Sequence, residues 1–84
     1  VQVRTVSVEG QDQSGIVYKV SRYLADAGIN IRTLNSEVKL APGSGETLYE
    51  MTIVVEIPAD LPIARVDDGL GAIGDEIHVD VAID

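Results

Sequence analysis

The chain has 84 residues, 45% of them apolar and 24% charged, a globular balance that argues against disorder and fits one small domain over residues 1–84. It contains no Cys, which excludes a disulfide framework, a zinc-thiolate site and a thiol nucleophile. Fourteen acidic residues against six basic ones give a net charge of −8, a sign that repels phosphate backbones and argues against direct nucleic-acid binding.

No apolar run approaches the ~18 residues of a membrane span, so no membrane partner is expected and the chain reads as a soluble, cytoplasmic module. A chain of this size buries only about 60–65% of its unfolded surface on folding, so it gains from burial shared with a partner.

In chain order, the alternating, β-branched run from Gln2 to Glu9 predicts a strand. The segment Gly10-Gln11-Asp12-Gln13-Ser14-Gly15 then carries turn and helix-start chemistry, with Asp12 and Ser14 both suited to cap a helix. Ile16, Val17, Val20, Leu24 and Ala27 recur at helical spacing and predict a helix over 14–27, with Gly28 at its stop. A second extended run goes from Ile29 to Leu40, and its apolar phase changes between Ile31 and Leu34, which predicts a bulge.

Ala41-Pro42-Gly43-Ser44-Gly45-Glu46 is a loop. From Thr47 to Ile57 the period is cleanly two, with Tyr49, Met51, Ile53, Val55 and Ile57 on one side and Glu50, Thr52 and Glu56 on the other. Ile63, Val66, Leu70, Ile73 and Ile77 then predict a helix over 62–76. Gly69, Gly71 and Gly74 interrupt it, each at a cost of about 1 kcal/mol relative to Ala, so packing must hold it. Ile77, Val79, Val81 and Ile83 alternate with His78, Asp80, Ala82 and Asp84 as a fourth strand, with His78 an exposed polar strand residue.

The order β-α-β-β-α-β, with right-handed crossings joined by a hairpin, specifies an α+β ferredoxin-like sandwich: a four-stranded antiparallel sheet with two helices on one face. The other face carries Glu50, Thr52, Glu56, His78 and Asp80, a solvent-facing or polar interface.

Function must come from a site, since this fold hosts many activities. No catalytic residue emerges: His78 stands alone, and Ser7, Ser14, Ser21, Ser36 and Ser44 have no nucleophile-elbow context. No metal site or cofactor is called for, because the acids are dispersed and lack calcium-loop spacing. RNA recognition on this topology stacks bases on aromatic residues of the central strands, and the only aromatics here are Tyr18, Tyr23 and Tyr49.

What remains is the loop before the first helix, together with the start of the second strand. Gly15 lets a ligand approach the backbone closely, and a helix N-terminus attracts carboxylates. Asp12 can accept from an ammonium, and Asn30 both donates and accepts. A zwitterion needs that set. Asp12 suits a plain helix cap equally, and Asn30 a plain C-terminal turn, so spacing alone leaves both readings open.

The stretch VEGQDQSGIVYKVSRYLADAGINI resembles the opening signature of the ACT domain: a strand, D-x-x-G-I, a helix and G-x-N-I. The later segment APGSGETLYEMTIVVEIPADLPI resembles ACT domains of glycine-cleavage-system transcriptional repressors, with a P-G-S-G hairpin loop, L-Y-E-M and a strand ending in P-A-D. The resemblance implies a non-catalytic regulatory domain that binds a small amino acid, of the glycine or serine class, between subunits. It implies ligand-binding roles for Asp12 at the amine, for Gly15 and Ile16 through backbone amides at the carboxylate, and for Asn30, with Ser14 standing where many members carry Pro. The implied partners are a second copy in a homodimer, or a tandem ACT unit. The expected sheet edges are the second and fourth strands, and Arg32, Glu37 and Lys39 either guard the longer one or border a contact between copies. The alternative is an assembly module of the same fold that binds no ligand.

Overall fold

In a computed structural model the described residues are 1–11, 13–40, 42–43 and 45–84, with the side chains of Gln13 and Ser14 outside that description. The elements are β1 (Gln2–Gly10), α1 (Gln13–Asp26), β2 (Asn30–Leu40), β3 (Thr47–Ile57), α2 (Ile63–Ile77) and β4 (Asp80–Ile83). The sheet order is β2-β3-β1-β4, with every neighbouring pair antiparallel. This is the ferredoxin-like sandwich, and β2 and β4 are its edges.

The core lies between one sheet face and the helices. It joins Val6 and Val8 of β1, Ile16, Val20 and Leu24 of α1, and Val66 and Leu70 of α2 to five alternate residues of β3, from Tyr49 to Ile57. No polar or charged described residue is buried. The expected bulge is present, because the β2–β3 register skips Arg32 between Ile31 and Thr33. That one extra residue keeps Ile31 packed against the core and puts Thr33, Asn35, Glu37 and Lys39 in line with the outward row of β3.

Both helices end on a left-handed residue. At the end of α1 this is Gly28 at φ 75°, where Ile29 N–H donates to the Leu24 carbonyl (2.9 Å) and Gly28 N–H to that of Ala25 (3.1 Å). These paired bonds satisfy carbonyls that the last turn leaves open. At the end of α2 the residue is His78, at φ 57°, with Val79 N–H donating to the Gly74 carbonyl (3.0 Å). His78 is therefore a helix cap and not a strand residue, which corrects the sequence expectation. Ile77 belongs to the helix, and β4 begins only at Asp80.

Two of the three glycines in α2 are sites of close approach. A Cβ on Gly69 would collide with the Tyr23 ring of α1, and one on Gly74 would lie 2.8 Å from the Val79 carbonyl oxygen. Gly71 is exposed, with nothing near it. The helix thus trades propensity for contact at Gly69 and Gly74 alone.

Candidate functional site

Gly10 and Gln11, where the chain leaves β1, each meet a partner from another part of the fold. Gly10 is buried at the strand's end, where a side chain would run into Val79 and Ile16. Gln11 is exposed, and its Nε2 donates to Glu46 Oε2 at 3.1 Å. That bond ties the β1–α1 loop to the loop between β2 and β3, 35 residues away in sequence.

Asp12 lies outside the described residues, and so does the side chain of Ser14. Gly15 is half-buried in the first turn of α1. Ile16 is 1% exposed, its side chain committed to the core, so only its backbone can serve a ligand. Asn30 opens β2, is exposed, and donates through Nδ2 to Glu56 Oε1 at 2.8 Å.

These residues do not converge within one chain. Gly15 and Ile16 stand at the start of α1, and Asn30 follows its end. The helix has 14 residues, about 21 Å at ~1.5 Å per residue. The sheet says the same, since Gly10 pairs with Tyr49 at one end of β3 and Asn30 with Glu56 at the other.

Between the two ends runs β2, whose outer ladder has no neighbour in the sheet order. Its helix-side row exposes apolar surface: Leu34 is 39% exposed, Val38 59% and Leu40 73%. The opposite edge, β4, is only four residues long and acidic at Asp80.

The open sheet face holds a feature that alternation alone did not reveal. Glu37 of β2 pairs with Glu50 of β3, Glu50 with Glu9 of β1, and Glu9 with Asp80 of β4. Four carboxylates thus form one row across all four strands. Lys39 Nζ sits 3.1 Å from Glu50 and 3.8 Å from Glu37. The hydrogen bond and charge of Glu50, with the charges of Glu37 and Glu9, hold the Lys39 ammonium above its ordinary pKa. A cleft of about 340 Å³ lies over this row, lined by Ser7, Glu9, Glu50, Thr52, Asp80 and Ala82. A second, of about 470 Å³, adjoins it at Gly10, Gln11, Leu48 and His78. Glu50 and Asp80 were visible as outward residues in the sequence. Their alignment with Glu9 and Glu37 depends on strand register, which only the pairing supplies. Among the described residues no group of three or more His, Cys, Asp or Glu could hold a metal ion, and no helix is long and apolar enough to cross a membrane.

The sequence profile of the ACT domain matches residues 4–66. Among solved structures, a protein from Galdieria sulphuraria described as unknown superposes with a TM-score of 0.85 at 35% identity, over 99% of this chain and 48% of that one. An ACT domain protein from Streptococcus pneumoniae superposes with a TM-score of 0.82 at 26% identity, over 98% of this chain and 86% of that one. A structure described as a glycine cleavage system transcriptional repressor shares the fold with a TM-score of 0.68 at 23% identity, over 99% of this chain and 44% of that one. The chain thus spans about half the length of the Galdieria protein and of the repressor. No curated protein matches it.

Proposed function

The chain belongs to the ACT domain family, and from that premise we propose that it binds a small amino acid of the glycine or serine class between two copies of itself. On this reading it catalyses nothing, and binding is coupled to assembly or to a partner's activity. ACT domains are regulatory small-ligand-binding modules. The ligand class, the homodimer and the coupling are the proposal.

The observation that carries it is the separation of Gly15 and Ile16 from Asn30 by the length of α1, along an edge strand whose helix-side row exposes Leu34, Val38 and Leu40. Two copies of β2 running antiparallel about Ser36 would set Leu34 of each opposite Val38 of the other. The same register places Asn30 of one copy beside Pro42 of the other. That is the hairpin end, where the Gln11–Glu46 bond holds the β1–α1 loop. Each pairing would then unite the two halves of a site that one chain keeps apart.

In such a site the first turn of α1, at Ser14, Gly15 and Ile16, directs backbone N–H groups at the ligand carboxylate. Asp12 and the Asn30 carbonyl oxygen accept from its ammonium. A tandem ACT unit on a longer chain would present the same edge and fill the same place. Transcriptional regulation in the cytoplasm belongs to the same proposal, carried by the P-G-S-G, L-Y-E-M and P-A-D segments.

One observation favours the alternative of an assembly module that binds no ligand: the Asn30 amide is already engaged by Glu56. Thermal unfolding against the twenty amino acids separates the two. Ligand at ~100 times its dissociation constant adds about 2.7 kcal/mol of stability, several degrees for a small domain. A selective rise with one or two small amino acids is expected, with at least tenfold weaker binding in Asn30→Ala. A flat panel with a dimeric protein would replace this reading by the assembly module. A flat panel with a monomer would remove both.

A further inference from the structure

We propose that the open face of the sheet, opposite the helices, docks a protein segment bearing several Lys or Arg side chains. The row Glu37–Glu50–Glu9–Asp80 is the basis. Like charges directly opposite on neighbouring strands are destabilising, and here three such pairs run in succession. Strands stand ~4.8 Å apart, so four carboxylates span about 14 Å. The core needs none of them, since all four point away from it.

The chain's own lysine shows what the row accepts. Lys39 lies between Glu37 and Glu50 as their ammonium partner. Glu9 and Asp80, in the other half of the row, have no ion pair among the described residues, and both line the cleft of about 340 Å³ with the hydroxyl-bearing Ser7 and Thr52. An incoming ammonium or guanidinium would meet there the environment that Lys39 finds at Glu50.

Charge decides the occupant. A second copy placed face to face would oppose four carboxylates with four more. Nucleic acid and anionic membrane surfaces are repelled by the same row. A cationic protein segment is complementary, and it leaves the outer backbone ladder of β2 available for pairing between copies.

The test is titration of the whole chain with a fluorescent twelve-residue peptide of alternating Arg and Gln, and with a matched peptide carrying Glu for Arg. The Arg peptide is expected to bind, and binding should weaken as salt rises. The double variant Glu9→Gln/Asp80→Asn is expected to lose at least tenfold in affinity. Asp67→Asn/Asp68→Asn removes two carboxylates from exposed positions of α2 and is expected to stay within twofold of the parent. Relief of a like-charge contact means the first variant should unfold no earlier than the parent, so lost binding there is not lost folding. Equal losses in both variants would reduce the effect to net charge and overturn the proposal. Absence of any complex at low salt would overturn it as well.

Discussion

β2 and β3 have the same length, 11 residues each, and lie hydrogen-bonded side by side. Their burial is opposite. β3 buries every residue of its helix-side row from Tyr49 to Ile57, whereas no side chain of β2 is buried. Composition does not explain the difference, because Leu34, Val38 and Leu40 occupy in β2 the row that Met51, Ile53 and Val55 occupy in β3. Position does. β3 has a strand on each side and the helices above it, while β2 has a neighbour on one side only. An apolar residue contributes stability only where something covers it, and the apolar row of β2 stands where a second copy would provide cover.

The largest effects should follow that contrast. Ile53→Ala, at 0% exposure, is expected to cost about 2–5 kcal/mol in urea unfolding. Val38→Ala should stay within roughly 0.5 kcal/mol in dilute protein, where β2 is uncovered. A comparable loss at both positions in the monomer would break the comparison.

The same rule, one residue type with two sets of neighbours, recurs on α2. Gly69→Ala should cost about 1–3 kcal/mol, because its methyl group meets Tyr23. Gly71→Ala should gain roughly 0.5–1 kcal/mol, since nothing lies near it and Ala is the better helix former. Differential scanning calorimetry of the two variants reads both signs. A gain of similar size, about 0.5–1 kcal/mol, is expected for His78→Gly, which removes a left-handed non-glycine residue.

The smallest effect concerns the link between β2 and β3 through Lys39. The Glu50 hydrogen bond and charge raise the Lys39 pKa, the Glu76 hydrogen bond and charge raise that of Lys19, and burial raises that of the Tyr23 hydroxyl. Each group holds its proton more tightly folded than unfolded. Each contribution is therefore complete below the unfolded value of about 10 and is lost as pH climbs through the folded one. Unfolding midpoints should be flat near pH 8–9 and fall above about 10, less steeply in Lys39→Met. A fall on the acidic side of that window that depended on Lys39 would reverse the assignment.

Periodicity carried the sequence reading a long way. The bounds of β3 were legible to the residue, and so was the bulge after Ile31, because burial on one face imposes the two-residue rhythm. The junction at Ile77 was not legible. Ile73–Ile77 keeps a helical step and Ile77–Val79–Val81 a strand step, so both periods claim Ile77, and only the backbone at His78 decides. The glycines of α2 signalled weak propensity but could not show that Gly69 makes room for Tyr23. Asp12, Gly15 and Asn30 are recognisable in the sequence as polar or permissive positions near helix ends, whereas Ile16 enters the set only through the resemblance. The sequence puts Asn30 past the far end of the helix that Gly15 and Ile16 begin, and the 14-residue length of α1 turns that order into a separation. The carboxylate row was hidden, since register is a property of paired strands.

The central claim is that pairing of β2 edges and amino-acid binding are one event. Sedimentation velocity over a range of protein concentrations, without ligand and with 10 mM glycine or serine as probes, tests it directly. The account predicts a monomer–dimer equilibrium that at least one of the two tightens tenfold or more, and that Val38→Lys abolishes in the presence and absence of ligand. A dimer indifferent to both amino acids and to Val38→Lys, or a monomer under every condition, would contradict it.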